Sequence, residues 1–234
     1  VSLGTADISS AKSISAEAFN QDITFTINST TPATIKANSF TENSKFIVNP
    51  NAYGTFCSTT IWKNWANNIS MFHVDANDVK WEYRYLQDSN SMCITAASGY
   101  GEEVTIPNTL PYNGQDVDVT HIGYAVFSST NVTSVTLPAT LTNIGNNTFS
   151  NCSALTSIEI PASVTSIGNY SFVACKNLAT VTFEDNSALL SIGEWAFRFC
   201  ESLTNVIIGD GVIEIETAAF ESCISLVSVT LGDS

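Results

Sequence analysis

One motif, present in five copies, constrains the fold of this chain more than any other feature. In each copy an isoleucine, usually followed by glycine, precedes a phenylalanine by five residues. The pairs are Ile122/Phe127, Ile144/Phe149, Ile167/Phe172, Ile192/Phe197 and Ile215/Phe220. Successive phenylalanines lie 22, 23, 25 and 23 residues apart. A period of this length indicates stacked repeats, because one unit cannot bury its apolar side alone whereas neighbouring units share a core.

Further apolar positions follow the last four phenylalanines at constant offsets. A cysteine comes three residues after each phenylalanine and a leucine three residues later, giving Cys152/Leu155, Cys175/Leu178, Cys200/Leu203 and Cys223/Leu226. Each leucine opens an L-x-x-[IV]-x-[ILF] run, which alternates near its end as a half-buried strand does. The period falls in the 20–29 range of leucine-rich repeats. We therefore predict an α/β, β-rich leucine-rich repeat solenoid with parallel strands on its concave face.

The first 70 residues carry a weaker version of the repeat. Ile14/Phe19 and Ile35/Phe40 have the motif spacing and are 21 residues apart. Residues 1–70 are therefore predicted to be the end of a first, degenerate array, and residues 71–234 to hold a linker, a β-hairpin and a second array. Because both ends of the chain fall within a repeat, we expect a piece of a longer array.

The pattern breaks between the two arrays. Ser58 as an N-cap, followed by Ile61, Trp62 and Trp65 at helical spacing, predicts a cap helix over the end of the first array. The following segment, 69–80, is predicted to be a linker. Residues 81–95 predict a β-hairpin with its turn at 87–90.

Two features mark the start of the second array. Trp81, Tyr83 and Tyr85 alternate along one strand and are predicted to seal the first coil, with sugar stacking as the alternative. Val104–Pro107 is predicted to be its first strand. The insertion between Leu110 and Ile122 contains the turn dipeptide Asn113-Gly114 and is expected to project as a small tongue.

The pattern I-G-x-x-x-F-x-x-C-x-x-L-x-x-[IV]-x-[IL]-P resembles the leucine-rich repeats of BspA-like bacterial surface proteins. The clear match covers Trp81–Ser234, and a degenerate one covers Val1–Asn67. The resemblance implies a right-handed solenoid at the cell surface or secreted. It also implies adhesion to host matrix proteins or other cells as a possible role, but it names no ligand, because the shared residues are core residues.

The cysteines of the repeat are predicted to be buried free thiols. Equivalent Cα atoms in neighbouring coils are about 4.8 Å apart, but their Cβ vectors run parallel, which disfavours a disulfide. Tetrahedral zinc needs converging ligands rather than a column. Thr130 takes the cysteine position in the first copy, so the slot selects a small side chain. Cys57 and Cys93 lie outside this ladder, and pairing between them stays open.

Charge and composition restrict the partners. The formal net charge is −14, and residues 101–234 hold 14 acids against Lys176 and Arg198 alone. Such a surface repels the phosphates of nucleic acids and anionic lipids. No apolar run approaches the ~20 residues of a membrane-spanning helix. We therefore expect no nucleic-acid partner and no membrane insertion in this segment.

Residues suited to catalysis or metal binding are scarce. The two histidines, His73 and His121, and Cys57 lie in no nucleophile motif. The segment Asp75–Glu82 loosely suggests calcium but lacks the glycine and ligand spacing of an EF-hand loop. We expect no enzyme, no metal and no cofactor.

The outward residues of the strands are the candidate binding site. One row is Ser134, Ser157, Thr180, Asn205 and Ser228, and the other is Thr136, Glu159, Thr182, Ile207 and Thr230. Solenoids usually bind partners on this extended concave face, although Ser and Thr are also ordinary strand-surface residues.

Three functions are consistent with the sequence. The first is a non-enzymatic cell-surface module that binds a protein or glycan, such as host matrix or another cell surface. The second is an architectural spacer within a larger surface protein. The third, a polysaccharide-active β-helix enzyme, would need acids clustered with Lys or Arg on one strand face.

Overall fold

The structure, a computed structural model, describes residues 4–8, 11, 13–14, 23–27, 29, 31–35, 40, 44–53, 56 and 69–232. Within these ranges it has twenty strands: β1 (Gly4–Asp7), β2 (Ser13–Ile14), β3 (Ile23–Ile27), β4 (Thr34–Ile35), β5 (Lys45–Val48), β6 (Ile69–Val74), β7 (Lys80–Leu86), β8 (Ser91–Ser98), β9 (Glu103–Thr105), β10 (Thr109–Tyr112), β11 (Gln115–Ile122), β12 (Ser134–Thr136), β13 (Asn143–Ile144), β14 (Ser157–Ile160), β15 (Ser166–Ile167), β16 (Thr180–Phe183), β17 (Ser191–Ile192), β18 (Asn205–Ile208), β19 (Glu214–Ile215) and β20 (Ser228–Leu231). The predicted β-rich leucine-rich repeat solenoid is confirmed.

Each coil of the second array contributes to two parallel ladders. The short strands β13, β15, β17 and β19 pair in sequence, and so do the longer strands β14, β16, β18 and β20. Equivalent residues of neighbouring coils are in register, for example Ile144 with Ile167 and Ser157 with Thr180. Each strand therefore pairs with the equivalent strand one repeat away, as the period predicts.

The motif phenylalanines form one stack through the second array. Phe127, Phe149, Phe172, Phe197 and Phe220 follow each other with ring centroids 5.3, 5.2, 5.1 and 5.3 Å apart and nearly parallel planes. The first four are fully buried. Offset-stacked rings at this separation add to the apolar burial, so the predicted phenylalanine column is confirmed.

The glycine after the motif isoleucine fits the close approach of neighbouring coils in the first four copies. A Cβ on Gly145 would lie 2.5 Å from the carbonyl oxygen of Ile122, and one on Gly193 would lie 2.3 Å from Oδ1 of Asn169. The Gly145 amide donates to that same Ile122 carbonyl at 2.8 Å. A side chain at Gly145 would press against the backbone of the preceding coil. In the last coil Glu216 takes this position and keeps the equivalent bond, its amide donating to the Ile192 carbonyl at 2.9 Å.

The longest sheet joins the two arrays. It has twelve strands in the order β1-β3-β5-β6-β7-β8-β11-β13-β15-β17-β19, with β10 paired to β11. In the first array this sheet uses the strands after the motif phenylalanine, such as β3 and β5. In the second array it uses the isoleucine-glycine strands, such as β13 and β15. The sheet therefore changes its repeat position at the junction.

Two sequence interpretations of the junction need correction. Ile69–Val74 is a strand rather than a linker: β6 pairs parallel with β5 and antiparallel with β7. Its side chains alternate, with Ile69 and Met71 fully buried. A linker would have left these apolar residues in water, whereas the sheet buries them. The division into domains at residues 70/71 stays a prediction, and the sheet is continuous there.

The insertion before Ile122 is also only partly a projecting tongue. The predicted turn forms, with Asn113 and Gly114 at φ of 51° and 76°. The second arm, β11, however lies in the long sheet between β8 and β13. Because β11 covers an edge that would otherwise expose unpaired backbone groups, this pairing is favoured over projection.

The β-hairpin β7–β8 with its turn at 87–90 and the strand at Val104 are confirmed. The predicted cap helix at Ser58, Ile61, Trp62 and Trp65 is not shown, since these four residues lie outside the described ones. The right-handed sense of the coil stays a prediction. No helix in the described ranges is long and apolar enough to cross a membrane.

Candidate functional site

The predicted binding residues lie on one set of strands, called here the polar strand face. It consists of the outward side chains of β9, β12, β14, β16, β18 and β20. Every predicted member is exposed. On β12, β14, β16 and β18, alternation with the buried Val135, Ile158, Val181 and Val206 turns them outward, whereas on the last strand, β20, all four residues are exposed. The concave curvature of this face stays a prediction.

Strand pairing aligns these residues into rows. Ser157, Thr180, Asn205 and Ser228 are successive register partners, and so are the pairs Glu159/Thr182 and Ile207/Thr230. Ser228 Oγ donates to Asn205 Oδ1 at 2.8 Å, which makes one side-chain rung. The rows therefore present short polar groups at the spacing of neighbouring strands.

The structure adds two features to the predicted face. Glu103 and Thr105 of β9 extend it by one strand, because they pair with Ser134 and Thr136. The rows are also divided, since β9–β12 and β14–β20 belong to separate sheets. In the longer part, Ile207 is 72% exposed and lies in register with Thr230.

The cysteine ladder is confirmed as structural. Cys152, Cys175, Cys200 and Cys223 are free and buried. Each thiol lies 3.0 to 3.2 Å from the carbonyl oxygen of the motif phenylalanine one coil earlier. In the first coil Thr130 donates its hydroxyl to the carbonyl of Phe127 in its own coil at 2.7 Å, and Cys152 contacts the same carbonyl. The position therefore holds a small side chain with a hydrogen-bond donor in all five coils.

The sequence does not decide whether the two cysteines outside the ladder, Cys57 and Cys93, pair with each other. Cys93 is a free, half-buried thiol, and burial raises its pKa while the Arg84 charge opposes that shift. Cys57 lies outside the described residues. Among the residues that the structure describes, no three His, Cys, Asp or Glu side chains converge as a metal site would require.

Asp75 is the first residue of the segment that loosely suggested calcium. Both of its carboxylate oxygens accept hydrogen bonds from residues of the same segment. Oδ1 accepts the amides of Asn77 and Val79, at 2.8 and 3.1 Å. Oδ2 accepts Nε1 of the buried Trp81 at 2.9 Å. Partial burial raises the pKa of Asp75, but these three donors outweigh it and hold the pKa below its ordinary value. The carboxylate thus closes the β6–β7 turn.

Replacement of this carboxylate should destabilise the turn in a pH-dependent way. Asp75→Asn should lower the free energy of unfolding by about 1 kcal/mol, because an amide nitrogen then opposes the indole N–H of Trp81 or a turn amide. The lowered folded pKa means that the charge stabilises the fold above pH 3.8, the ordinary value, and loses this effect as pH falls through the folded pKa. Urea unfolding at pH 7 and pH 3 measures the difference.

The matched control is Asp78→Asn in the same loop. Asp78 is exposed with φ of 61°, a conformation that asparagine tolerates. This control should leave stability unchanged at both pH values. An equal loss for both variants, or a loss for Asp75→Asn that persists undiminished at pH 3, contradicts the role assigned to Asp75.

The aromatic stripe of β7 is core rather than a sugar platform. Trp81 and Tyr83 are fully buried, and Tyr83 donates its hydroxyl to the Pro111 carbonyl at 2.9 Å. Trp81 contacts the first ring of the phenylalanine stack, with centroids 6.5 Å apart. Tyr85 stacks on Tyr112 of the insertion at 4.2 Å. The stripe seals the first coil, as predicted.

A cavity of about 310 Å³ lies on the long sheet at the junction, and no sequence pattern predicted it. Its lining includes Lys45 of β5, Glu82 and Arg84 of β7, Thr95 of β8, and Gly123 and Tyr124 after β11. These segments are up to 79 positions apart in sequence. Because no repeat relates them, only the strand order of the sheet brings them together.

An aromatic cluster on the turns of the second array was also not predicted from the sequence. Trp195 contacts Tyr170 edge-to-face at 4.9 Å, and Arg198 lies over the rings of Trp195 and Phe199 at 4.7 and 4.4 Å. Tyr170, Trp195 and Phe199 have φ of 59°, 55° and 60°. A bulky side chain at positive φ is uncommon, and that conformation cannot be read from the sequence.

The fold and surface define a class of protein, the stacked β-solenoid. Its regularly spaced apolar residues build the core, and the outward positions of its strands carry mostly short polar side chains. The family model of the BspA type leucine rich repeat region matches residues 120–234 in six copies. The chain belongs to this BspA-type leucine-rich repeat family. No curated protein matches the chain significantly.

Solved structures agree with this assignment. The T. pallidum leucine rich repeat protein is 30% identical, with a TM-score of 0.59, and the match covers 64% of this chain and 67% of that one. A Bacteroides ovatus leucine-rich repeat protein is 33% identical, with a TM-score of 0.56, and 64% and 39% are covered. A Eubacterium ventriosum protein matches 89% of this chain and 48% of its own at 24% identity and a TM-score of 0.57, which shows the fold alone.

Proposed function

We propose that this chain is a non-enzymatic recognition module, on a bacterial cell surface or secreted, that binds a protein or glycan through the polar strand face. The observation that carries the proposal is the register of that face. Its exposed polar side chains form aligned rows across β14–β20 with Ile207 exposed among them. The residues are short, so little side-chain entropy is lost when a partner orders them.

Family membership supports a surface location, since BspA-like proteins are commonly surface proteins. The outward residues of the face argue against an enzyme. On its described strands the acidic members are Glu103 and Glu159, and no outward residue is basic. A polysaccharide-active β-helix would need acids together with Lys or Arg at this place.

The spacer remains the second candidate, because the described core is continuous. One cluster of buried apolar residues runs from Phe25 to Cys223. Coils that share a core in this way make a stiff rod, which suits a spacer as well as a binding module.

A binding screen separates the two functions. The chain is presented to a panel of extracellular matrix proteins and to a glycan array. We expect at least one saturable interaction that falls about tenfold or more in the triple variant E159K/T182K/N205K, because long charged side chains then cover the rows. The matched control S153K/N177K/E214K makes the same charge change at exposed positions off the face and should bind normally.

Two results would reject the polar strand face as the site. One is the absence of any binding across both panels, which favours the spacer. The other is binding that survives E159K/T182K/N205K, or that falls equally in the control variant. Circular dichroism of both variants verifies that the fold is intact.

A further inference from the structure

One coil of the second array is longer than its neighbours, and its extra residues open a gap in a strand ladder. Seven positions separate the last residue of β14 from the next motif isoleucine, and the same holds after β18, but nine separate Phe183 of β16 from Ile192. β14 and β16 pair over four residues, as do β18 and β20, whereas β16 and β18 pair only up to Val181 and Val206. The two extra residues therefore accompany a parting of β16 from β18 where these strands end.

Backbone hydrogen bonds show the same gap. The amide that follows β16 donates to the last carbonyl of β14 at 3.0 Å, and the amide that follows β20 donates to the last carbonyl of β18 at 3.0 Å. The equivalent bond, from the Gly209 amide to the Phe183 carbonyl, is absent among the described residues. A Cβ on Gly209 would have nothing closer than Ser187, at 3.6 Å, so the space beside it is open.

The gap is a cavity of about 310 Å³, called here the coil cavity and lined by residues 183–187, 207 and 209–211. Phe183 and Ile207 give it an apolar part. Phe183 is half-buried, whereas the last residues of β14 and β18, at the same repeat position, are fully buried. Ile207 is 72% exposed. Packing between the coils therefore leaves apolar surface of both residues uncovered at the cavity.

The charged side chains of the coil cavity favour a cation. Each charged residue of the described lining is acidic, namely Glu184, Asp185 and Asp210. Glu184 accepts the Ala162 amide at 2.9 Å. Asp185 and Asp210 form no ion pair with any described residue. Two carboxylates thus remain for a partner beside an apolar surface.

The second array does not supply this cation itself. Its two bases, Lys176 and Arg198, pair with Glu201 and Glu221 at 3.1 and 2.6 Å. Residues 233–234, which follow the last described residue, are aspartate and serine and add no base. The 14 acids after residue 100 therefore attract a basic partner toward this array.

We propose that the coil cavity receives an arginine or lysine side chain of a protein that docks on the polar strand face. The cationic head group pairs with Asp185 and Asp210 by charge-assisted hydrogen bonds, and the apolar stem packs on Phe183 and Ile207. The volume lies at the low end of small-molecule sites, about 300–1,000 Å³, and suits one long side chain. A neutral or acidic sugar offers no group that combines a cation with an apolar stem.

The coil cavity is continuous with the polar strand face, because Ile207 belongs to both. The inference rests on the proposed function and deepens it. Of the two partner classes proposed for the face, protein and glycan, it selects a protein with a basic segment.

The first test is a titration of the whole chain, labelled with ¹⁵N, with Nα-acetyl-argininamide, Nα-acetyl-lysinamide and the neutral Nα-acetyl-glutaminamide. We expect saturable shifts at the amides of Ser187, Gly209 and Gly211 with the two basic probes. The glutamine probe should bind at least about tenfold more weakly, and affinity for the basic probes should fall as salt rises. No saturable shift at these amides, or equal binding of the glutamine probe, would overturn the inference.

Variants of the lining locate the contacts. Asp185→Asn and Asp210→Asn should each weaken binding of the basic probes about tenfold, and Ile207→Ser about fivefold. All three residues are exposed, so the fold should stay intact. The matched control Asp118→Asn makes the same change at an exposed position of the insertion and should bind normally.

Two results would replace the inference with a simpler one. Equal weakening in Asp118→Asn would show a general attraction to the acidic surface. Calcium chloride that shifts the same amides at lower concentration than the basic probes would show a metal site. Either result overturns a cavity for a basic side chain.

The panel of matrix proteins and glycans distinguishes failure of this inference from failure of the proposed function. The variant D185N/D210N should weaken the same protein interaction that E159K/T182K/N205K weakens. An interaction that falls in E159K/T182K/N205K but survives D185N/D210N, or a partner that is a neutral glycan, would overturn the inference and leave the proposed function intact.

Discussion

Phe172→Ala should lower the free energy of unfolding by about 3–5 kcal/mol, the cost of a large cavity in a core. Phe172 is fully buried and lies between the rings of Phe149 and Phe197, at 5.2 and 5.1 Å. Its removal interrupts the stack in the middle. Because each coil contacts only its neighbours, the coils after residue 172 should open more readily than those anchored on the junction.

Hydrogen exchange measures where protection is lost. The amide of Gly193, in the coil after Phe172, donates to the Ile167 carbonyl. The amide of Gly145, in a coil nearer the junction, donates to the Ile122 carbonyl. We expect the Gly193 amide to lose much more protection than the Gly145 amide. Equal loss at both would mean that the array unfolds as one unit.

Phe199→Ala is the matched control for this prediction. Phe199 is 36% exposed and lies on the turns, where it contacts Arg198 rather than the stack. Its loss should cost less than about 1 kcal/mol, since a surface aromatic contact contributes only a fraction of a buried ring. A cost equal to that of Phe172→Ala would contradict the special place of the phenylalanine column.

The ladder thiols should resist alkylation in the native protein. Cys152, Cys175 and Cys200 are fully buried, and burial raises the pKa of each thiol. Reaction then requires opening of the coil. At a stability of about 5 kcal/mol, the low end for native proteins, this slows labelling by about 10³-fold or more relative to the denatured chain. Iodoacetamide labelling followed by mass spectrometry of each cysteine gives the rates.

The labelling rates of two other cysteines serve as comparisons within the chain. The half-buried Cys93, outside the ladder, should react faster than the three buried thiols. Cys223, in the last coil and 8% exposed, should be the first of the ladder to react, because terminal coils open most easily. Ladder thiols that react as fast as Cys93 would show that they do not form the closed core described here.

The repeated part of the structure could be predicted closely from sequence. The phenylalanine column, the thiol slots and the outward rows all follow from the same reason, that each coil can bury its apolar side only against an equivalent coil. Even there, the thiol contact to the carbonyl of the preceding phenylalanine needed the structure, because it joins side chain and backbone of different coils.

The junction could be predicted only in part. Ile69 and Met71 alternate with Ser70 and Phe72, a strand signal that was present but short. The end of β11 pairs with β13 in the register of the repeat, since Ile122 lies opposite Ile144. Its pairing with β8 could not be predicted, because β8 belongs to no repeat and no period of the sequence specifies that partner.

The sequence by itself determined a stacked coil with a phenylalanine core, because a period of about 23 residues leaves equivalent positions only one way to be buried together. Tertiary structure alone decided how the two arrays join and that Lys45, Arg84 and Tyr124 share one cavity. The physical reason is that pairing between unrelated strands depends on edges, bulges and close backbone approach, which arise only when the whole sheet is assembled.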